Sequence, residues 1–362
     1  MSTTTRQAIR LADGRELLYY DDAPGADRSA ADTRDLPETA STSQIRWDPL
    51  FAEWSVIAGH RQSRTYKPPS DECPLDPSRA GRPTEIPATD YDVVVFENRF
   101  PALSDGAAQA VPAVDDGLFV SRPGVGRCEV VCFTSDHNTA FAQLPVRRVR
   151  TVLDAWVDRT RELAAIEGVE YVFCFENRGE EIGVTLSHPH GQIYAYPFIP
   201  PRLAVAGRAA AAYRTEHGTC LQCAMLEQER AEGKRIVAET EHFVAYVPFA
   251  ARWPYEVTVV PLRHAPDLPA LSDPELDDLA GIYLEVLKRF DGLFDTPAPY
   301  IASWQQAPVR ADRDSWHLTA SVFTIRRANG KLKYLAGSES GAAVWINDVP
   351  PEVAAQRLRE VG

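Results

Sequence analysis

Apolar residues along this chain follow two spacings. Short runs, alternating or continuously apolar, fall at 93–96, 127–134, 171–176 (YVFCFE), 188–196 (HPHGQIYAY), 243–249 (FVAYVPF), 255–261 (YEVTVVP), 300–304 (YIASW) and 316–323 (WHLTASVF). Each predicts a strand. Two longer stretches, about 145–166 and 274–290, set apolar side chains at i, i+3 and i+4, as in Val152, Ala155, Trp156 and Leu279, Ile282, Tyr283. These predict helices with one apolar face, long enough to cover a sheet. Residues 1–42 depart from both patterns. Asp, Ala, Ser and Thr dominate there, only 16–20 reads as a strand, and the segment is expected to be a partly disordered, solvated extension.

The order of elements repeats, and so do polar positions within it. His137 and His188 stand 51 positions apart, His264 and His317 53. Cys73-x-x-Asp76 precedes the first pair and Cys220-x-x-Cys223 the second. Four coinciding polar positions, beyond the shared apolar pattern, indicate an internal duplication. The predicted fold is α+β: two antiparallel-sheet halves, 43–205 and 206–362, each with a long helix, forming one continuous unit.

Composition narrows the function classes. The 362 residues suffice for two domains or one duplicated fold, and 44% hydrophobic with 25% charged residues is ordinary for a globular protein. The formal net charge of −13 argues against a nucleic-acid partner. No apolar run approaches the ~18 residues of a membrane span, and the start, MSTTTRQAIRLADG, lacks the apolar core of a secretory signal. Six cysteines spread over a long chain favour free thiols or metal ligands over a disulfide framework. The expected compartment is the cytoplasm.

Candidate chemistry concentrates in Ser187-His188-Pro189-His190-Gly191-Gln192. In a strand, 188, 190 and 192 share one face. Three polar side chains on one face of a core-like segment call for a reason. Neutral imidazole is a good nucleophile toward phosphorus, and covalent catalysis divides nucleotidyl transfer into two easier displacements. A nearby amide can donate to a non-bridging oxygen and offset its charge. An isolated His-x-His is more often structural; the full motif, following Asn177-Arg178-Gly179, favours chemistry.

With these residues in view, the chain resembles the galactose-1-phosphate uridylyltransferase family, a branch of the histidine-triad superfamily. The likeness runs from about Arg46 to the C-terminus through RWDPLFAEWSVIAGHRQSR (46–64), VFENRFPAL (95–103), FTSDH (133–137), FENRG (175–179), HPHGQIYAYPF (188–198), VPFAARWPYEVTVVP (247–261) and LKYLAGSE (332–339). The resemblance implies a duplicated histidine-triad-like fold with the active site in the first half and no nucleophile in the second. It implies a ping-pong exchange in which UDP-glucose uridylylates His190, glucose 1-phosphate leaves, and galactose 1-phosphate takes the UMP to give UDP-galactose. Gln192 stands where hydrolytic relatives carry a third histidine; an amide cannot activate water, which argues for a transferase. A related phosphorylase or adenylyltransferase on the same scaffold is the alternative, and a zinc-stabilised, non-catalytic nucleotide-binding protein is a further one.

The family positions imply further roles. Arg61 and Arg64 suit diphosphate oxygens, since guanidinium binds them bidentately; without the resemblance they would read as a solvated basic loop. Asn98 matches a position near the nucleotide and Asn177 one at the phosphates. Lys333 and Glu339 match positions that contact the hexose across the interface of a homodimer, with Ser338 replacing the usual aromatic residue. The duplication pairs Cys73, Asp76, His137 and His188 with Cys220, Cys223, His264 and His317. Four such ligands suit structural zinc. In the first set a carboxylate replaces one thiolate, so a metal-free remnant is the competing reading there, and a pair of buried thiols in the second. Some members hold iron in the second half, at positions that are Gln305, Thr319 and Ser321 here, so no iron is expected.

Overall fold

A computed structural model of the protein describes residues 4–37, 41–63, 67–107, 112–310 and 313–361. Within them, eleven strands join one antiparallel sheet. In chain order these are β1 (Thr5–Arg10), β2 (Glu16–Asp21), β3 (Val93–Glu97), β4 (Arg127–Cys132), β5 (Tyr171–Arg178), β6 (His190–Tyr196), β7 (Ile236–Glu239), β8 (Phe243–Tyr246), β9 (Tyr255–Pro261), β10 (Tyr300–Gln305) and β11 (Thr319–Thr324). Across the sheet they lie as β1-β2-β3-β4-β6-β5-β10-β11-β9-β8-β7.

That order displays the duplication. Outward from the central β5–β10 pair, the first half lays down β5, β6, β4, β3, β2 and the second β10, β11, β9, β8, β7. The two sets follow the same chain order. The halves join by main-chain pairing, with Ala302 opposite Glu176 and Ser303 opposite Phe175. Two antiparallel-sheet halves thus form one continuous unit, as the sequence pattern predicts.

One long helix crosses each half: α1 (Val146–Ala164) between β4 and β5, and α4 (Asp273–Gly292) between β9 and β10. Between them in sequence lie α2 (Pro201–His217) and α3 (Leu221–Glu232), and α5 (Pro351–Glu360) ends the chain. Ser272 and Glu275 form a capping box that starts α4. Both long helices lie on one face of the sheet and bury Val152, Leu153 and Trp156 with Leu279, Ile282 and Tyr283. Trp156 and Tyr283 meet Trp304 of β10 at ring centroids 5.6 and 5.4 Å away. Aromatic contacts of this kind add about 0.5–1.5 kcal/mol each beyond area burial. The apolar seam between the halves is therefore core. The opposite face carries smaller apolar clusters, one around Tyr19, Val94, Phe96 and Val130 and another around Ile45, Leu103 and Cys128.

The N-terminal segment departs from its expected solvated character. β1 pairs with β2, β2 pairs with β3, and Leu17, Leu18, Tyr19 and Tyr20 are buried. Four consecutive apolar residues suit a strand covered on both faces. Tyr20 donates from its hydroxyl to Asp158 of α1 at 2.5 Å, and Arg15 bonds Asp13 and Glu85. These contacts satisfy the polar atoms that burial removes from water.

Candidate active site

β6 begins one residue after Pro189, so His188 lies outside the strand expected to contain it. Proline has no N–H for a sheet ladder, and the regular strand starts beyond it. His188 and His190 consequently have different environments. His188 is buried beside Asp76, while His190 and Gln192 alternate along β6 onto the face opposite the helices. Gly191 between them is sterically required: a Cβ there would come within 2.8 Å of the Phe133 ring and of the Phe175 carbonyl oxygen.

The Nδ1 of His190 donates to the backbone carbonyl of His188 at 2.8 Å. A carbonyl can only accept, so the proton sits on Nδ1 and the lone pair on Nε2. Burial lowers the imidazole pKa below its ordinary value of 6.5. The neutral, nucleophilic form is therefore favoured. Tyr194 donates from its hydroxyl to Oε1 of Gln192 at 3.2 Å. That bond orients the amide and leaves its N–H groups as donors.

Two cavities open on His190. One, of about 450 Å³, is lined by Asn98, Asn177, Thr185, His190 and Gln192 among others. The other, of about 270 Å³, shares Asn177 and His190 and adds Lys67, Glu176, Glu180 and Ser187. The Oδ1 of Asn98 accepts from the Phe100 N–H at 2.9 Å, which holds the side chain in place. Four of the expected site residues, His190, Gln192, Asn98 and Asn177, thus meet in one space. Arg61 sits in the short turn Gly59–Ser63 and lines neither cavity, and Arg64 lies outside the described residues. Lys333 and Glu339 pair with each other at 2.7 Å, are buried, and line neither cavity.

Sequence reasoning passed over Glu176. Its side chain is 4% exposed and reaches the smaller cavity. One carboxyl oxygen accepts from the Tyr300 hydroxyl at 2.9 Å; the other has no partner. Burial pushes its pKa up to about 8. The signal was present: alternation along β5 puts an acid on the helix-facing side with Val172 and Cys174.

The two quartets also come together. Cys73, Asp76, His137 and His188 offer ligand atoms within 4.8 Å of one another, and so do Cys220, Cys223, His264 and His317. None of the six cysteines forms a disulfide. His188 Nε2 lies 2.7 Å from the Thr134 carbonyl, and His317 Nε2 lies 3.0 Å from the Pro261 carbonyl. These equivalent outer bonds fix the Nε2 protons and turn both Nδ1 lone pairs inward. There, His188 Nδ1 faces an Asp76 oxygen at 3.1 Å and His137 Nδ1 faces the same oxygen at 2.8 Å. His317 Nδ1 faces the Cys223 sulfur at 3.3 Å. In the first quartet two acceptors, His188 Nδ1 and the Asp76 carboxylate, thus meet without a proton between them, an arrangement that a cation would relieve. Burial disfavours a proton on His188 and lowers the His317 pKa to about 4. The donor sets therefore fit a metal ion. The frames differ: Cys220 caps α3 and Cys223 lies in its first turn, whereas Pro77 follows Asp76 and disfavours a helix there.

Residues 33–200 match the family described as galactose-1-phosphate uridyl transferase, N-terminal domain, and residues 207–362 match its C-terminal domain. The chain is 47% identical over 369 residues to a galactose-1-phosphate uridylyltransferase of Streptomyces lividans, with 98% of each covered. It is 41% identical to one from Thermotoga maritima, covering 88% of this chain and 98% of that one. A solved uridylyltransferase structure superposes with a TM-score of 0.79 at 31% identity, covering 88% of this chain and 98% of that one.

Proposed function

Because the chain belongs to the galactose-1-phosphate uridylyltransferase family, we propose that it transfers UMP between UDP-glucose and galactose 1-phosphate through a covalent uridylyl-His190. The observation that carries this reading is the locked tautomer of His190, which leaves Nε2 as a nucleophile in a cavity shared with Gln192 and Asn177. In the first half-reaction the Nε2 lone pair attacks the α-phosphorus of UDP-glucose. The bond from phosphorus to the bridging oxygen breaks, and glucose 1-phosphate leaves with the electron pair. In the second, a phosphate oxygen of galactose 1-phosphate attacks the same phosphorus, the N–P bond breaks, and UDP-galactose departs. The carbonyl of His188 stabilises the positive charge that the ring acquires when Nε2 bonds phosphorus. Gln192 and Asn177 donate to the non-bridging oxygens. The amide of Gln192, which lines the larger cavity with His190, cannot activate water, and this supports transfer over hydrolysis.

The same reading assigns the active site to the half 43–205 and gives the half 206–362 no nucleophile. Thr319 and Ser321 of β11 carry hydroxyls where β6 carries His190 and Gln192. Each quartet would hold zinc, which as a closed structural site supplies cross-linking and no reacting group. The first would brace the loop that presents His190. Arg61 and Arg64 are assigned to the diphosphate and Asn98 to the nucleotide. A homodimer in the cytoplasm completes the proposal, with Lys333 and Glu339 reaching the hexose of the partner's site. Among the described residues, no helix is long and apolar enough to cross a membrane.

The experiment is a half-reaction. Mixed with UDP-glucose and no acceptor, the enzyme should release one glucose 1-phosphate per active site and stop. Continuous release would indicate hydrolysis, and no release would contradict a covalent route.

A further inference from the structure

A cavity that receives phosphates in a chain of net charge −13 needs local cations. The smaller cavity beside His190 has two basic side chains in its lining, Arg178 and Lys67. Arg178 is committed to the protein: it bonds Asp291 at 2.5 Å and lies over the Tyr300 ring at 5.4 Å. Lys67 is held differently. Its Nζ meets Glu180 Oε2 at 2.6 Å, and Glu180 lines the same cavity. The two side chains are 40% and 77% exposed. An ion pair so open to water contributes little to stability and exchanges readily.

The backbone at Lys67 makes a second observation. Its φ is 45°, in the left-handed region that disfavours a side chain, and Pro68 follows it. Such strain gathers where a segment presents a group to a ligand. We propose that Lys67 holds the phosphate of the hexose 1-phosphate, exchanging Glu180 for it as substrate arrives. This rests on the uridylyl-transfer reading. A phosphate monoester offers more charge and more acceptor oxygens than one carboxylate, so the exchange is favourable. That phosphate is also the β-phosphate of the nucleotide sugar, so one contact serves both half-reactions. Glu180 keeps the ammonium in the cavity lining and competes with substrate for it.

Calorimetric binding of glucose 1-phosphate to the wild type, Lys67→Gln, Lys67→Arg, Glu180→Gln and the double Gln variant tests this. Loss of one charge-assisted bond should weaken binding about tenfold in Lys67→Gln. Lys67→Arg should restore most of it, and Glu180→Gln should tighten it. In the Glu180→Gln background, Lys67→Gln should still weaken it. Added salt should weaken the wild type more than Lys67→Gln. Binding to Lys67→Gln equal to that of the wild type would overturn the proposal and leave the ion pair structural. Turnover is measured alongside. If glucose 1-phosphate binds in a Lys67-dependent way but no UMP is transferred, the phosphate site stands and the transfer reading fails.

Discussion

The backbone carbonyl of His188 and the Nδ1 of His190 are 2.8 Å apart, and through that bond one residue serves two sites. Its ring faces Asp76 and His137 in the first quartet, while its carbonyl fixes the tautomer of His190, the proposed nucleophile. Anything that displaces His188 should therefore reach His190 through one hydrogen bond.

Metal content follows from the two ligand sets. Elemental analysis of the purified protein should find two zinc per chain. Cys220→Ser and Cys73→Ser should each lose one. The set with Asp76 should be the weaker, because thiolate gives zinc more of its affinity than carboxylate does. Losing that ion should lower activity without abolishing it, since the nucleophile remains. A zinc-free protein, or iron in place of zinc, would overturn the assignment.

Tyr194 holds the Oε1 of Gln192 and leaves its N–H groups as donors, which the proposal aims at the phosphoryl oxygens. Removing one such donor typically costs about 10²–10³ in rate. Gln192→Ala should slow both half-reactions by that order, measured as single turnovers with UDP-glucose and then with galactose 1-phosphate. Tyr194→Phe should show a smaller loss in both. Near-normal rates in Gln192→Ala would remove the amide from the mechanism.

Much of this was legible in the sequence, and the exceptions have physical reasons. The long helices α1 and α4 bury a regular apolar stripe, so periodicity found them. By contrast, α2 buries only Leu203, and its Ala-rich sequence carries no stripe to read. The histidine quartets were visible because duplication made them a repeated pattern. The apolar–polar pattern puts His188 on the strand because it does not weigh the missing N–H of Pro189. Lys67 and Glu180 are 113 positions apart, and each alone reads as a solvated charge. Only the fold brings them to one cavity.

Glu176 should leave a mark on stability. Its carboxyl pKa is raised by burial from 4.5 to about 8. The unfolded chain loses this proton near the ordinary value, whereas the folded protein keeps it up to the raised one. Between the two, the unfolded state binds fewer protons, so stability falls as pH rises, by about 1.4 kcal/mol per unit for this one group. Glu176→Gln keeps the shape and removes the titration. Urea midpoints at pH 5 and pH 8 should differ less for the variant than for the wild type. An unchanged difference would mean the carboxyl is already ionised in the folded protein.

The central claim is a covalent bond from His190 to UMP, and intact mass after mixing with UDP-glucose reads it directly. The wild type should gain the mass of one uridylyl group per chain and lose it again on addition of galactose 1-phosphate. His190→Ala, folded as judged by circular dichroism, should gain nothing. An adduct on His190→Ala, or its absence from an active wild type, would contradict the account.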